Sequence, residues 1–195
     1  MAAQVLPAIA DTPRGKHITR DEVHRLESLG LLTGRYELIE GELVDKMGQN
    51  PPHGYVLTRV MIWLASVFGR RVRCQLPIEV AHPDQQLSEP QPDIALLAKN
   101  SPEYYRRLPR GDELALVIEI SDSSSRFDLT KKARLYARAE VREYWVVDIP
   151  RGIITIHRRP MEGAYGQLER LGERDSLTIE GASIPISELL SPELD

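Results

Sequence analysis

The sequence predicts a mixed fold of class α/β (or α+β), with helices packed on one central sheet. Three observations carry that expectation. Leu114-Ala115-Leu116-Val117-Ile118 is almost wholly apolar, as a central strand covered on both faces must be. Between Gly54 and Phe68 the apolar residues Val56, Val60, Trp63, Leu64 and Val67 recur at a helical period. The middle of the chain then reads helix, three strands, helix, strand, an alternation that places helices on a mixed sheet.

Residues 1–17 carry Pro7, Pro13 and Gly15 and read as a loose tail, with a single domain over 18–195. Thr19 is an N-cap candidate with Glu22 in the capping-box position, opening a helix to Leu29 that stops at Gly30. Tyr36-Glu37-Leu38-Ile39-Glu40 and Glu42-Leu43-Val44-Asp45 read as a strand pair, or as one strand bent at Gly41. Pro51-Pro52 marks a loop before the helix from Gly54, and Gly69 ends that helix. Strands are expected over 71–80, 93–98, 114–121, 144–149 and 153–157. A helix over 129–139 takes Asp128 as its N-cap. The C-terminal third is rich in Gly, with short strands and a short helix over 186–190. Trp63 and Trp145 sit in apolar patterns and belong to the core.

The chain has 195 residues, 42% of them apolar and 28% charged, which is ordinary globular composition. Lys and Arg number 25 against 29 Asp and Glu, a net charge of -4; this excludes a globally basic nucleic-acid binder but not a local basic patch. The single cysteine, Cys74, can neither close an intramolecular disulfide nor build a multi-cysteine zinc site. No apolar run is long enough to span a membrane, and Met1–Ala10 lacks the basic start of a signal peptide. The expected address is the cytoplasm.

Three residues carry chemistry. Asp93 follows Pro92 and opens an apolar strand; a strand-start Asp held by backbone donors has the same appearance. Glu119 lies inside the most apolar strand of the chain. Ionised burial costs several kcal/mol, so it needs a cation, a metal or a raised pKa; a strand-end salt bridge is the plainer reading. Lys132 is placed by the helical wheel. At about 100° per residue from Leu129, the residues Ala133, Tyr136, Ala137, Ala139 and Leu135 share one arc, and Lys132 falls inside it. Lys131, Arg134 and Arg138 fall on the opposite face. An inward lysine wants a buried carboxylate or an anion, unless it snorkels over apolar surface. Two carboxylates converging at a sheet edge suit a hard cation such as Mg²⁺, which would stabilise charge on a phosphoryl oxygen. Paired carboxylates without metal would suggest glycoside hydrolysis, but aromatics make up only 6% of the chain, too few for a sugar-stacking array. Arg70, Arg71 and Arg73, and then Arg106, Arg107 and Arg110, form two basic clusters that read as charged surface loops or as phosphate contacts.

Pro92-Asp93, then Glu119, then a helix lysine resembles a PD-(D/E)XK nuclease core. More narrowly, the chain resembles the Uma2 family of restriction-endonuclease-like proteins. The matching stretches are Tyr36–Leu43, His53-Gly54, Pro92–Ala95, Val117–Ser124, Asp128 with Lys132 and Tyr136-Ala137, and Glu143–Asp148. They cover roughly residues 18 to 160, with a core about 36–160. The resemblance implies a restriction-endonuclease-like sheet and divalent-metal-dependent hydrolysis of phosphodiester bonds in nucleic acid, DNA being the expected substrate. It implies that Asp93 and Glu119 hold Mg²⁺ (or Mn²⁺), with the Ile120 carbonyl as a further ligand. Lys132 would position or activate the attacking water. The motif's lysine ordinarily lies two residues after the second acid, where this chain has Ser121; Lys132 matches the helix position used in related families. Glu37 matches an N-terminal acid of the family and is a candidate metal ligand, or a hairpin surface carboxylate. His53 is expected to cap the next helix rather than to contact phosphate. The family ordinarily has Gly before the position of Val141, where this chain has Glu140. A homodimer suits an enzyme that cuts two strands. The competing function is a catalytically silent member of the fold that binds nucleic acid or another chain.

Overall fold

The computed structural model describes residues 16–46 and 50–191. Most of the expected tail therefore lies outside the described residues. Helix α1 (Arg20–Ser28) opens with the expected capping box: the Glu22 N–H donates to Thr19 Oγ1 at 3.3 Å and the Thr19 N–H donates to Glu22 Oε2 at 2.8 Å. Strands β1 (Tyr36–Ile39) and β2 (Glu42–Asp45) form an antiparallel hairpin rather than one bent strand. Its turn residues Glu40 and Gly41 both have positive φ, at 51° and 81°, as the tightest hairpin turns require.

Helix α2 runs over Pro51–Phe68, which corrects the expectation of a loop at Pro51-Pro52. Proline fits the first turn of a helix, where its missing N–H has no intrahelical partner to lose. The capping group is Asn50, whose side chain accepts from the His53 N–H at 3.0 Å, so His53 is not itself the cap. Strand β3 is only Val72–Cys74. The expected strand over 71–80 is cut short because Gln75 turns into positive φ, at 51°, and Pro77 has no N–H for a ladder.

Strand β4 (Ile94–Leu97) leads to β5 (Leu114–Ser121), all eight residues of which are buried. The next helix begins earlier than expected. A short α3 (Ser125–Phe127) runs into a π-helical turn over Asp128–Lys132 and then α4 (Ala133–Arg138). Asp128 is therefore inside the helical run and not its N-cap. The run ends in a Schellman arrangement: the Glu140 N–H donates to Ala137 O and the Val141 N–H to Tyr136 O, each at 3.1 Å. Glu140 takes the left-handed position that glycine would favour, with φ at 61°. Strands β6 (Glu143–Asp148), β7 (Ile153–Met161) and β8 (Ala164–Gly172) follow, then the hairpin β9 (Ser176–Ile179) and β10 (Ala182–Pro185), and helix α5 (Ile186–Leu190).

The central sheet has six strands in the order β3-β4-β5-β6-β7-β8. Only β5 and β6 are parallel; the other neighbours are antiparallel. The helical run from Ser125 to Arg138 is the crossover that a parallel pair needs. Both faces of the sheet are covered. On one, Leu64, Ile118, Ile120 and Ile154 pack with Trp63 and Trp145, whose rings stack at 6.4 Å. On the other, Ala95, Val117 and Val146 pack with Ile39, Leu135, Tyr136 and Tyr144. No helix among the described residues is long and apolar enough to cross a membrane.

Candidate functional site

Strand alternation explains why one face of β5 carries charge. Ile118 and Ile120 point into the apolar face with Trp145. Val117, Glu119 and Ser121 therefore point to the face covered by α4. In the antiparallel ladder Ile94 is opposite Ile118 and Ala95 is opposite Val117. One step further the register brings Asp93 beside Glu119 on that same face. The Asp93 side chain ties the two strands together, because the Ile120 N–H donates to its Oδ2 at 2.9 Å.

Lys132 is buried, 3% exposed, as the wheel predicts. Its Nζ lies 2.6 Å from Glu37 Oε1, 3.0 Å from Glu119 Oε1 and 3.7 Å from Asp128 Oδ1. The hydroxyl of Tyr136 donates to the same Glu119 oxygen at 2.7 Å. Glu37 is buried, not a surface carboxylate of the hairpin; its second oxygen accepts from the Gln91 N–H at 3.2 Å. Asp128 Oδ2 accepts from Ser121 Oγ and Ser124 Oγ, each at 2.6 Å. Ser121 thus fills the usual strand-lysine position with a hydroxyl that orients a carboxylate of the lysine's own cluster. The π turn carries both Asp128 and Lys132, and such turns concentrate at functional sites.

Asp93 has a different surrounding. His53 Nε2 lies 3.2 Å from its Oδ2, and Lys46 Nζ lies 3.9 Å from its Oδ1. Burial pushes its pKa up, but the His53 hydrogen bond, Lys46 and the Ile120 N–H outweigh burial and hold it below the ordinary value. For Glu119 burial wins. Despite the nearby Lys132 its carboxyl is pushed up to about 8, with Glu37 and Asp93 adding to the rise. Burial alone would lower Lys132, but Glu119, Glu37 and Asp128 hold it above the ordinary lysine range. The three carboxyl groups thus favour the charged form of the buried ammonium.

Asp93, Glu119, Ile120, Lys132, His53 and Lys46 all line one open cavity of about 300 Å³. Six carboxyl groups (Glu37, Asp45, Asp93, Glu119, Asp122 and Asp128) surround Lys46, Lys132 and His53 there, so acidic oxygens outnumber the cationic groups. Among the described residues no group of three or more His, Cys, Asp or Glu side chains is arranged to hold a metal ion. The donor chemistry is nevertheless that of Mg²⁺, which takes one or two carboxylates and keeps several waters, and not that of a closed protein cage. Glu119 receives Lys132 and Tyr136 on Oε1 alone, which leaves Oε2 for a cation. His53 Nδ1 is buried without a hydrogen-bond partner among the described residues.

Sequence reasoning did not place His53, Lys46 or Tyr136 at the site. His53 and Asp93 are 40 residues apart, and neither it nor Lys46 follows any pattern within its own element. Tyr136 was legible as part of the buried stripe and of a stretch matching the family, with no role assigned to its hydroxyl.

Comparison with known proteins bears on the same residues. The family model of Uma2, described as putative restriction endonuclease, matches residues 20–187. Among solved structures, the chain is similar to a putative nuclease belonging to DUF820 from Anabaena variabilis ATCC 29413. The TM-score is 0.62 at 18% identity, covering 85% of this chain and 97% of that one; at that identity the likeness is one of fold. No curated protein matches the sequence. The family match spans both acidic strands, the helix of Lys132 and most of the chain: this protein belongs to the Uma2 family.

Proposed function

We propose that the chain is a divalent-cation-dependent nuclease that hydrolyses phosphodiester bonds, with DNA as its substrate. The observation that carries this reading is the convergence of Asp93, Glu119 and a buried Lys132 on one cavity. Asp93 and Glu119 would hold Mg²⁺ or Mn²⁺, with the Ile120 carbonyl as a further oxygen. A cation held by these residues would supply charge neutralisation at the phosphodiester.

The chain's own residues supply the rest. Lys132 cannot serve as a general base while it stays protonated. Its ammonium is held between Glu37 at 2.6 Å and Glu119 at 3.0 Å, with Asp128 at 3.7 Å, and from there it would orient a water or a phosphoryl oxygen. Glu37, with both oxygens engaged, acts through Lys132 by fixing the ammonium in place. His53 orients Asp93 through Nε2 and keeps Nδ1 as a buried acceptor or donor at the cavity. The competing reading, a silent nucleic-acid-binding or assembly module, draws on the lack of a three-ligand cluster among the described residues.

The test is cleavage of supercoiled DNA, single-stranded DNA and RNA with Mg²⁺, Mn²⁺ or EDTA. The expected result is cation-dependent cleavage, abolished in Asp93→Ala and in Lys132→Met. Cleavage that survives both substitutions, or none with any cation, would overturn the reading.

A further inference from the structure

A second cavity, of about 400 Å³, opens on the same face of the sheet. It is lined by Arg73, Leu76, Ala95, Tyr104, Tyr105 and Arg106, among others. The register fixes its place. Arg73 is opposite Ala95, and Ala95 follows Asp93 by two residues on the same face, about 6.6 Å along β4. Gln75 joins the two cavities: its neighbour Leu76 lines the second, and its side chain and backbone N–H reach Asp93 at 3.5 and 3.0 Å.

The lining has two chemistries. Tyr105 is 93% exposed, an open aromatic face on the surface. The segment that presents it is braced: Arg107 donates to both Glu113 oxygens at 2.7 Å and to Glu103 at 2.9 Å, with its guanidinium 5.0 Å from the Tyr104 ring. Arg107 is thus consumed in holding the platform. Arg73 and Arg106 are not. Arg73 donates to the carbonyls of Arg70 and Val72 at 2.7 and 3.1 Å, and among the described residues neither arginine has a carboxylate partner. An exposed aromatic face flanked by guanidinium groups whose charge no carboxylate neutralises is what an unpaired strand needs, with stacking for its bases and charge for its phosphates.

The geometry points to this groove as the seat of a single-stranded segment of the nucleic acid, immediately beside the bond to be cleaved. A base stacks on Tyr105, and Arg73 and Arg106 take adjacent phosphates. The substrate class is then a strand unpaired at the cleavage point, such as an overhang, a flap or single-stranded DNA. Within a fully paired duplex each base is stacked between its neighbours and closed to Tyr105. This inference rests on the nuclease reading of the neighbouring cavity.

Binding in EDTA separates the two, because it requires no turnover. The probes are a fluorescent mixed-sequence 20-nucleotide single strand and the same sequence as a blunt duplex. Wild type should prefer the single strand, Tyr105→Ala should weaken it roughly tenfold or more, and Tyr105→Trp should retain it. Arg73→Ala/Arg106→Ala should flatten the salt dependence by about 0.7 per lost phosphate contact. Duplex binding should not change with Tyr105→Ala. Equal single-strand affinity in wild type and Tyr105→Ala, equal losses for both probes, or no single-strand binding by wild type would each overturn the groove. Should wild type cleave nothing with Mg²⁺ or Mn²⁺, the nuclease reading fails while these binding results still decide the groove.

Discussion

The two faces of the central sheet share one strand and differ in almost everything else. Ile118 and Ile120 enter a face built from Leu64, Trp63, Trp145 and Ile154. Glu119 and Ser121, one residue out of phase, enter a face where four carboxylates and Lys132 are buried beside Tyr136 and Tyr144. The first face is packed closed, whereas the second opens into the cavity lined by Asp93, Glu119 and Lys132. The first gains stability from hydrocarbon burial, and its contribution does not depend on pH. The second must satisfy desolvated charges with one another, and what it gains in return is a cavity with lone pairs and a fixed cation. A fold with one apolar face can hold the other in a state that burial alone would not favour.

The largest expected effect comes from unbalancing the charged face. Lys132→Met keeps the length of the side chain but leaves Glu37, Glu119 and Asp128 without their cation. A loss of about 3–5 kcal/mol is expected at pH 8, shrinking at pH 5, where the Glu119 carboxyl is protonated. Ile118→Ala, one residue away on the other face, should cost about 2–5 kcal/mol, with the same value at both pH values. Denaturant titrations of the two variants at pH 5 and pH 8 make the comparison. A pH-independent loss in Lys132→Met would contradict it.

Next in size is the pH dependence of the unaltered protein. Glu119 rises from an ordinary 4.5 to about 8 on folding. Its contribution is therefore complete below about pH 4.5 and is lost as pH climbs through about 8. Asp93 is lowered on folding, so its contribution is present above the ordinary aspartate range and is lost as pH falls. Melting temperatures between pH 5 and pH 8.5 should fall more steeply in wild type than in Glu119→Gln. Parallel curves would remove Glu119 as the titrating group.

The smallest effect lies at the end of the helical run that supplies Lys132. Glu140 occupies a left-handed position that costs a non-glycine residue about 1 kcal/mol. Glu140→Gly should raise stability by up to that amount and leave cation-dependent properties unchanged. A destabilised Glu140→Gly would show that the side chain is itself anchored.

Much of this division was legible in the sequence. The bounds of β5 and α5, the capping box of α1 and the inward side of Lys132 follow from local periodicity and capping chemistry, and all are found. What escaped is set by residues far apart in the chain. The expected strand over 71–80 ends at Cys74 because Gln75 turns back toward Asp93. Asp128 looked like an N-cap because an Asp before an apolar run usually is one. Its partners, Ser121 and Lys132, come from β5 and the π turn and become visible only on folding. Lys46 and His53 reach Asp93 from β2's end and from the first turn of α2, and no periodicity links them to it.

The proposed nuclease function requires the second face to seat one divalent cation, held by Asp93 and Glu119. The most direct measurement is isothermal titration of Mn²⁺ into wild type, Asp93→Asn and Glu119→Gln at pH 7.5, beside the melting temperature of each with and without the cation. One ion per chain should bind wild type and raise its melting temperature, and both effects should vanish in each variant. Binding and stabilisation that persist in both variants would place the cation elsewhere and contradict the account.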